Sequence, residues 1–409
     1  MKDIRKIFNI GKNDKSKKKE VSLFTLWEMI IITIAFAIFS SVITGYVVNL
    51  ATKNNILKDK ELQDITDTYN KIVNEYYEDV DKNKLATSAI DGMMNYLNEN
   101  YSEYMDSEET NALQDKLKGD YDGIGVEIGK INGSVIIVNV FEDSPAFVAG
   151  IKSGDIIVNV DGTEIKEETT LEDVTALIKG KKKVKIKVLR NKKEHEYIID
   201  IKNVNIPVVT SKTYEKNDNK IGYLYLETFS LNASDQMAQK LSLLESEGID
   251  SLIIDLRGNT GGYLNAATDI ASMFIKKGKV IYGIESKDKK ENVKDKTKEE
   301  RNLPIVVLVD SASASASEIL AAALKESYGA ILVGTKTYGK GRVQQTSKLS
   351  DDSLIKYTTA KWYTPSGDSI DGVGLTPGIT VELTEEYLKN PCDETDFQLQ
   401  KAIEILANN

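Results

Sequence analysis

Four serines spaced by alanines, Ser311, Ser313, Ser315 and Ser317, stand between two apolar stretches of different character. Residues 305–309 follow Pro304 and are rich in Val and Ile, which reads as a buried strand. Residues 318–325 are rich in Ala and Leu and read as a helix. A strand that turns straight into a helix sets the side chains of the turn beside the free N–H groups of the helix start. A serine placed there can act as a nucleophile, and the same N–H groups can receive a developing oxyanion. Residue types alone do not choose among the four serines. A small-residue turn that only caps the helix is the competing reading.

A nucleophilic serine needs a base. The single histidine, His195, lies far upstream in a lysine-rich stretch, which argues against a Ser-His-Asp triad. A lysine can serve if burial keeps it neutral near pH 7. Lys340 is the candidate. It follows a second apolar run, residues 330–333, and stands between Gly339 and Gly341, which permit close backbone approach. The net charge of −10 speaks against nucleic acid as a partner, and the one cysteine, Cys392, rules out an internal disulfide framework. With no Cys/His cluster, neither a zinc site nor another cofactor is expected.

The elements that must position these residues follow in order. Residues 1–22 form a basic tail, and residues 29–48 then run without a charge. Twenty helical residues span roughly 30 Å, the hydrocarbon thickness of a bilayer. The expectation is a retained transmembrane helix over 23–48, with Trp27 and Tyr46 near its two ends. Its cationic side stays in the cytoplasm, and everything after it lies outside the cell membrane. A cleaved signal peptide is the alternative. Helical spacing marks residues 55–117, with Leu62, Ile65, Tyr69, Ile72 and Tyr76 on one face. From residue 204 to 385 strands alternate with helices, including a strand at 251–255 and a helix at 264–274. Residues 285–302 are charged, without apolar periodicity, and are expected to be a surface loop. A helical tail occupies 386–409.

Two resemblances organise this pattern. Ser-Ala-Ser-Ala-Ser-Glu-Ile at 313–319, with Tyr-Gly-Lys-Gly-Arg-Val-Gln at 338–344, resembles the active-site region of the C-terminal processing peptidases, the tail-specific serine proteases. The resemblance implies Ser315 as nucleophile, Lys340 as base and Gln344 as a residue that orients the lysine. The element Asp-Leu-Arg-Gly-Asn-Thr-Gly-Gly at 255–262 resembles another motif of the family. It implies an oxyanion hole made by Gly261, with Gly262 its near neighbour, and by Ala316. Residues 118–203 resemble a PDZ domain. Gly123, Ile124, Gly125 and Val126 match its carboxylate-binding loop, and residues 171–178 match the helix that lines its groove. A protein tail would add there as an extra strand, its terminal carboxylate held by backbone N–H groups. The family resemblance also implies that the N-terminal helices take part in a homodimer.

The expected fold is therefore multidomain, α/β and α+β. A membrane helix, a helical segment and a β-rich PDZ domain precede an α/β serine-protease core of the tail-specific, crotonase-like type. The expected activity is membrane-anchored serine endopeptidase with a Ser-Lys dyad, acting on proteins through their C-terminal tails. Two rivals are a catalytically silent PDZ receptor and a PDZ-bearing trypsin-like protease. The intact Ser315 and Lys340 count against the first. The position of the only histidine counts against the second.

Overall fold

The computed structural model describes residues 59–298 and 301–408, together with residues 27, 30, 31, 33, 34 and 40–44. The expected membrane span over 23–48 lies largely outside the described residues. Among the described residues no helix is long and apolar enough to cross a membrane. The chain divides into two units, residues 1–90 and 91–409.

In the first unit the helix Lys60–Glu75 is capped by Asp59, whose carboxylate accepts the Glu61 N–H at 3.2 Å. None of its residues is buried, and Leu62 and Ile65 of its apolar face are exposed. A second helix begins at Lys82 and runs on to Tyr96.

The second unit is built on a six-stranded sheet in the order Val209–Lys216, Asn219–Leu226, Ser251–Asp255, Ile305–Val309, Ile331–Gly334 and Ile379–Thr380. Only the first pairing is antiparallel. Strands buried on both sides need apolar residues at every position, and Ile305–Val309 is buried along its whole length. Alternate residues serve the two faces. Leu252, Ile254, Val307, Val309 and Leu332 pack under the helices Ala233–Ser246, Leu264–Ser272 and Ala316–Ala323. Ile253, Val306, Leu308 and Val333 pack against Leu399, Ala402, Ile403 and Leu406 of the last helix, Phe397–Ala407.

A second sheet lies beside the first. Leu354–Tyr363 pairs with Arg342–Lys348, Val280–Ser286 and the short strand Glu103–Met105. The stretch expected to be a loop after residue 285 is in part a strand. Lys290–Lys294 turns back on Val280–Ser286 as a hairpin. Its residues are charged because it is the outer strand of its sheet. It is held by the Lys290–Glu285 pair at 2.9 Å and by Val293, which packs on the core.

Residues 119–205 form a separate β-rich body with its own core of Ile124, Val135, Ile137, Ile157, Val184 and Ile186. Its sheet runs Val126–Ile131, Ser134–Val140, Ile156–Val160, Lys183–Arg190, Lys193–Asp200, so that Val126–Ile131 is an edge strand. The helix Leu171–Ile178, capped by Thr170, packs beside that edge. The short strands Asp120–Gly123 and Lys202–Asn205 pair with each other at the two ends of this body.

Candidate active site

The strand Ile305–Val309 ends at Asp310, and the chain turns through the four serines into the helix Ala316–Ala323. The turn answers what residue types left open. Ser313 is buried and its hydroxyl donates to the Leu256 carbonyl at 2.9 Å. Ser317 is buried and donates to the Asn259 carbonyl at 2.7 Å. Ser311 is exposed. Ser315 alone of the four lines a cleft of 640 Å³. Its backbone sits at φ 55°, ψ −114°, a conformation that a non-glycine residue holds only where its surroundings compel it.

What compels it is Glu318, three residues on and fully buried. One carboxylate oxygen accepts the N–H of Ser315 and that of Lys340, each at 2.9 Å. The other accepts the Gly339 N–H at 2.7 Å and the Thr337 hydroxyl at 2.6 Å. A single side chain thus fixes both the serine turn and the lysine turn. Sequence reasoning read Glu318 only as the start of a helix. The Ser-x-x-Glu spacing, a capping pattern, was the signal available.

Lys340 is half-buried and lines the same cleft. Burial pushes its ammonium below the ordinary lysine pKa, and the positive charge of Lys356 pushes the same way. Glu103, Glu318 and Glu99 oppose these effects. The Nζ stands 5.0 Å from the centre of the Tyr101 ring. The Lys340 carbonyl accepts the Trp362 indole N–H at 2.8 Å. The flanking glycines are required by contact. A Cβ on Gly339 would lie 2.8 Å from the Gly374 nitrogen, and one on Gly341 would lie 2.6 Å from the Asp371 Cβ.

Gly261, Gly262 and Ala316 also line the cleft. A Cβ on Gly261 would stand 2.9 Å from the Ala314 carbonyl oxygen, 3.0 Å from Ser315 Cβ and 3.2 Å from the Ala316 nitrogen. The glycine turn is therefore pressed against the serine turn. Ala316 opens its helix, so its N–H has no carbonyl in the preceding turn to bond. The Gly261 N–H, by contrast, donates to Asn259 Oδ1 at 2.8 Å. Gln344 lies on the strand Arg342–Lys348, lines the cleft and donates to the Thr358 hydroxyl at 3.3 Å. Leu113, Leu117, Ile319 and Trp362 give the cleft its apolar walls.

Residues ahead of the PDZ-like body reach this site too, and sequence reasoning did not find them. Glu99 pairs with Arg342, Ser102 Oγ accepts the Thr358 N–H at 3.1 Å, and Glu103 pairs with Lys356. Gly123, Ile124, Gly125 and Val126 do not line the cleft. They form the turn that leads into the edge strand Val126–Ile131. The Ile124 carbonyl accepts the Ala146 N–H at 2.8 Å, and the Gly125 carbonyl accepts the Phe141 N–H and the Ser144 hydroxyl.

Comparison with known proteins agrees with this layout. Residues 220–381 match the model of peptidase family S41, and residues 123–201 match a PDZ domain. Residues 42–110 match the N-terminal domain of the activating protease CtpB. Carboxy-terminal processing protease CtpA of Bacillus subtilis is 36% identical over 381 residues, covering 93% of this chain and 81% of that protein. The chain belongs to the carboxy-terminal processing proteases of peptidase family S41. CtpB of the same organism is 37% identical over 358 residues, covering 86% and 73% of the two chains. A solved S41 protease structure from Bacteroides fragilis shares the fold, with a TM-score of 0.50 at 17% identity over 76% of this chain and 87% of that one. As a family S41 member the chain is a serine-type peptidase that carries a PDZ domain.

Proposed function

We propose that this family S41 peptidase is a membrane-anchored endopeptidase that takes proteins by their C-terminal tails and cuts them with a Ser-Lys dyad. The observation that carries the reading is one cleft holding Ser315 at φ 55° and Lys340 desolvated, with both turns tied to Glu318. Ser315 Oγ attacks the scissile carbonyl carbon. Lys340, neutral, takes the hydroxyl proton and later gives it to the leaving amine. The oxyanion meets the Ala316 N–H at the helix start and the Gly261 N–H, which it shares with Asn259 Oδ1. Gln344 holds the lysine's surroundings in place. Water then attacks the acyl-enzyme with Lys340 again as base. No cofactor takes part.

The PDZ edge strand accepts the tail by strand addition, with the N–H groups of the 123–126 turn facing its carboxylate. The basic tail and the uncharged run at 29–48 support a single-pass anchor with the peptidase outside the membrane. The exposed apolar face of Lys60–Glu75 supports a homodimer.

The test uses the full chain in mild detergent and a loosely folded protein ending in an apolar tail. Cleavage by the wild type is compared with Ser315→Ala and Lys340→Ala, and the free-acid tail with an amidated one. The expected result is cutting by the wild type alone, and faster cutting of the free acid. Full-rate cutting by Lys340→Ala would remove the lysine from the mechanism. Tail binding without any cutting would favour a silent receptor.

A further inference from the structure

Tyr121 sits in the strand Asp120–Gly123, just before the turn expected to hold a tail carboxylate. Its hydroxyl oxygen accepts the Val126 N–H at 3.2 Å, and its proton points to the Val126 carbonyl at 3.3 Å. The ring is seated for this purpose. It lies over Gly123, where a Cβ would come within 2.2 Å of its Cε2 carbon, and it meets Phe141 edge-on at 6.5 Å between centroids. Burial raises the hydroxyl's pKa, so the group keeps its proton and offers both a donor and an acceptor.

Val126 opens the outer strand of its sheet. A tail that adds to this edge must present an acceptor to the Val126 N–H and a donor to the Val126 carbonyl. The Tyr121 hydroxyl already performs both tasks. We infer that Tyr121 is an internal competitor for the PDZ carboxylate site, one that an incoming C-terminus must displace. This rests on the tail-capture reading above. The chemistry fixes which ligand succeeds. A carboxylate makes charge-assisted bonds about twice as strong as neutral ones. An anionic chain end therefore has the advantage over a neutral hydroxyl, while an internal segment or a capped end gains little by exchange. By keeping the site filled, the tyrosine sets a threshold that every ligand must exceed, and an anionic chain end exceeds it where a neutral end does not.

The experiment measures fluorescence anisotropy of a labelled peptide with an apolar free-acid end and of its amidated twin. Both are titrated with the full chain in the Ser315→Ala background, so that nothing is cut, with Tyr121 or Tyr121→Phe. Losing two neutral hydrogen bonds of about 1 kcal/mol each should tighten free-acid binding about 30-fold. Amide exchange across residues 123–127 of the unliganded chain should quicken in Tyr121→Phe, because the Val126 N–H loses its acceptor. If the free acid still binds better than the amide but Tyr121→Phe changes neither affinity nor exchange, tail capture stands and the competitor role is overturned. If both chains bind acid and amide alike, tail capture itself fails and this inference with it.

Discussion

A lysine works as a base only while it is neutral, and Lys340 is driven toward that state chiefly by burial and secondly by Lys356. In the proposed mechanism the protonated form is inactive, so activity should climb as pH rises through the lowered pKa and level off above it. Lys356→Gln removes a repelling charge, raises the pKa of Lys340 and should move the climb to higher pH. Glu103→Gln removes the foremost opposing carboxylate and should move it to lower pH. Profiles of kcat/KM against pH for the three chains decide the matter, and coincident profiles would show that these charges do not set the base. Gly261→Ala tests the facing turn. The new methyl meets the Ala314 carbonyl at 2.9 Å from a backbone at φ 106°. Strain on the order of 1–3 kcal/mol is expected in thermal unfolding. With the proposed oxyanion donor displaced, kcat should fall about 10²–10³-fold.

Single elements carry the next level of organisation, and the helix Ala316–Ala323 carries the most because it brings Glu318 under two turns at once. Four donors converge on that carboxylate. Glu318→Gln would set an amide N–H₂ against one pair of them, with an expected loss of about 3 kcal/mol in thermal or urea unfolding. The folded remainder should show its pH climb at lower pH, since a charge that raises the Lys340 pKa has gone. An unshifted profile in a stable variant would leave Glu318 as a strut alone. This element also shows what the sequence could and could not convey. The strands Ser251–Asp255 and Ile305–Val309 were legible because apolar runs declare themselves locally, and the helix Leu171–Ile178 was legible through the likeness to a PDZ domain. Lys290–Lys294 was not, because an edge strand made of charged residues resembles a loop. Glu103–Met105 was not, because three residues become a strand only through their partner, Leu354–Lys356. At the site, the meeting of Ser315 and Lys340 in one cleft was legible from residue type together with family likeness. Tyr101 and Glu99 belong to a segment that only the tertiary fold brings to Lys340 and Arg342.

At the scale of the second unit, the site is braced from the far side of the central sheet. Arg257, inside the glycine-rich element, is gripped by Asp255 at 2.6 Å and by Asp396 at 2.8 Å, and it donates to Gln398 at 3.1 Å. Asp396 also caps the last helix by accepting the Leu399 N–H at 3.0 Å. The turn that carries Gly261 is therefore tied, five residues before Thr260 at Asp255 and three before it at Arg257, to a helix that covers the opposite sheet face. Two substitutions in that region separate bracing from mere covering. Asp396→Ala breaks a buried ion pair and a cap, a loss of about 3–5 kcal/mol. Leu406→Ala removes buried apolar volume from the same helix, a loss of about 2–5 kcal/mol, without touching Arg257. Both should lower the unfolding temperature. Only Asp396→Ala should also lower kcat in the protein that remains folded, because only it frees Arg257 and with it the turn pressed against Ser315. Equal loss of stability with kcat unchanged in both would mean that the last helix covers the sheet and does nothing for the site. A fall in kcat with Leu406→Ala as large as that with Asp396→Ala would place the coupling in the packing of the sheet face and not in the Arg257 network.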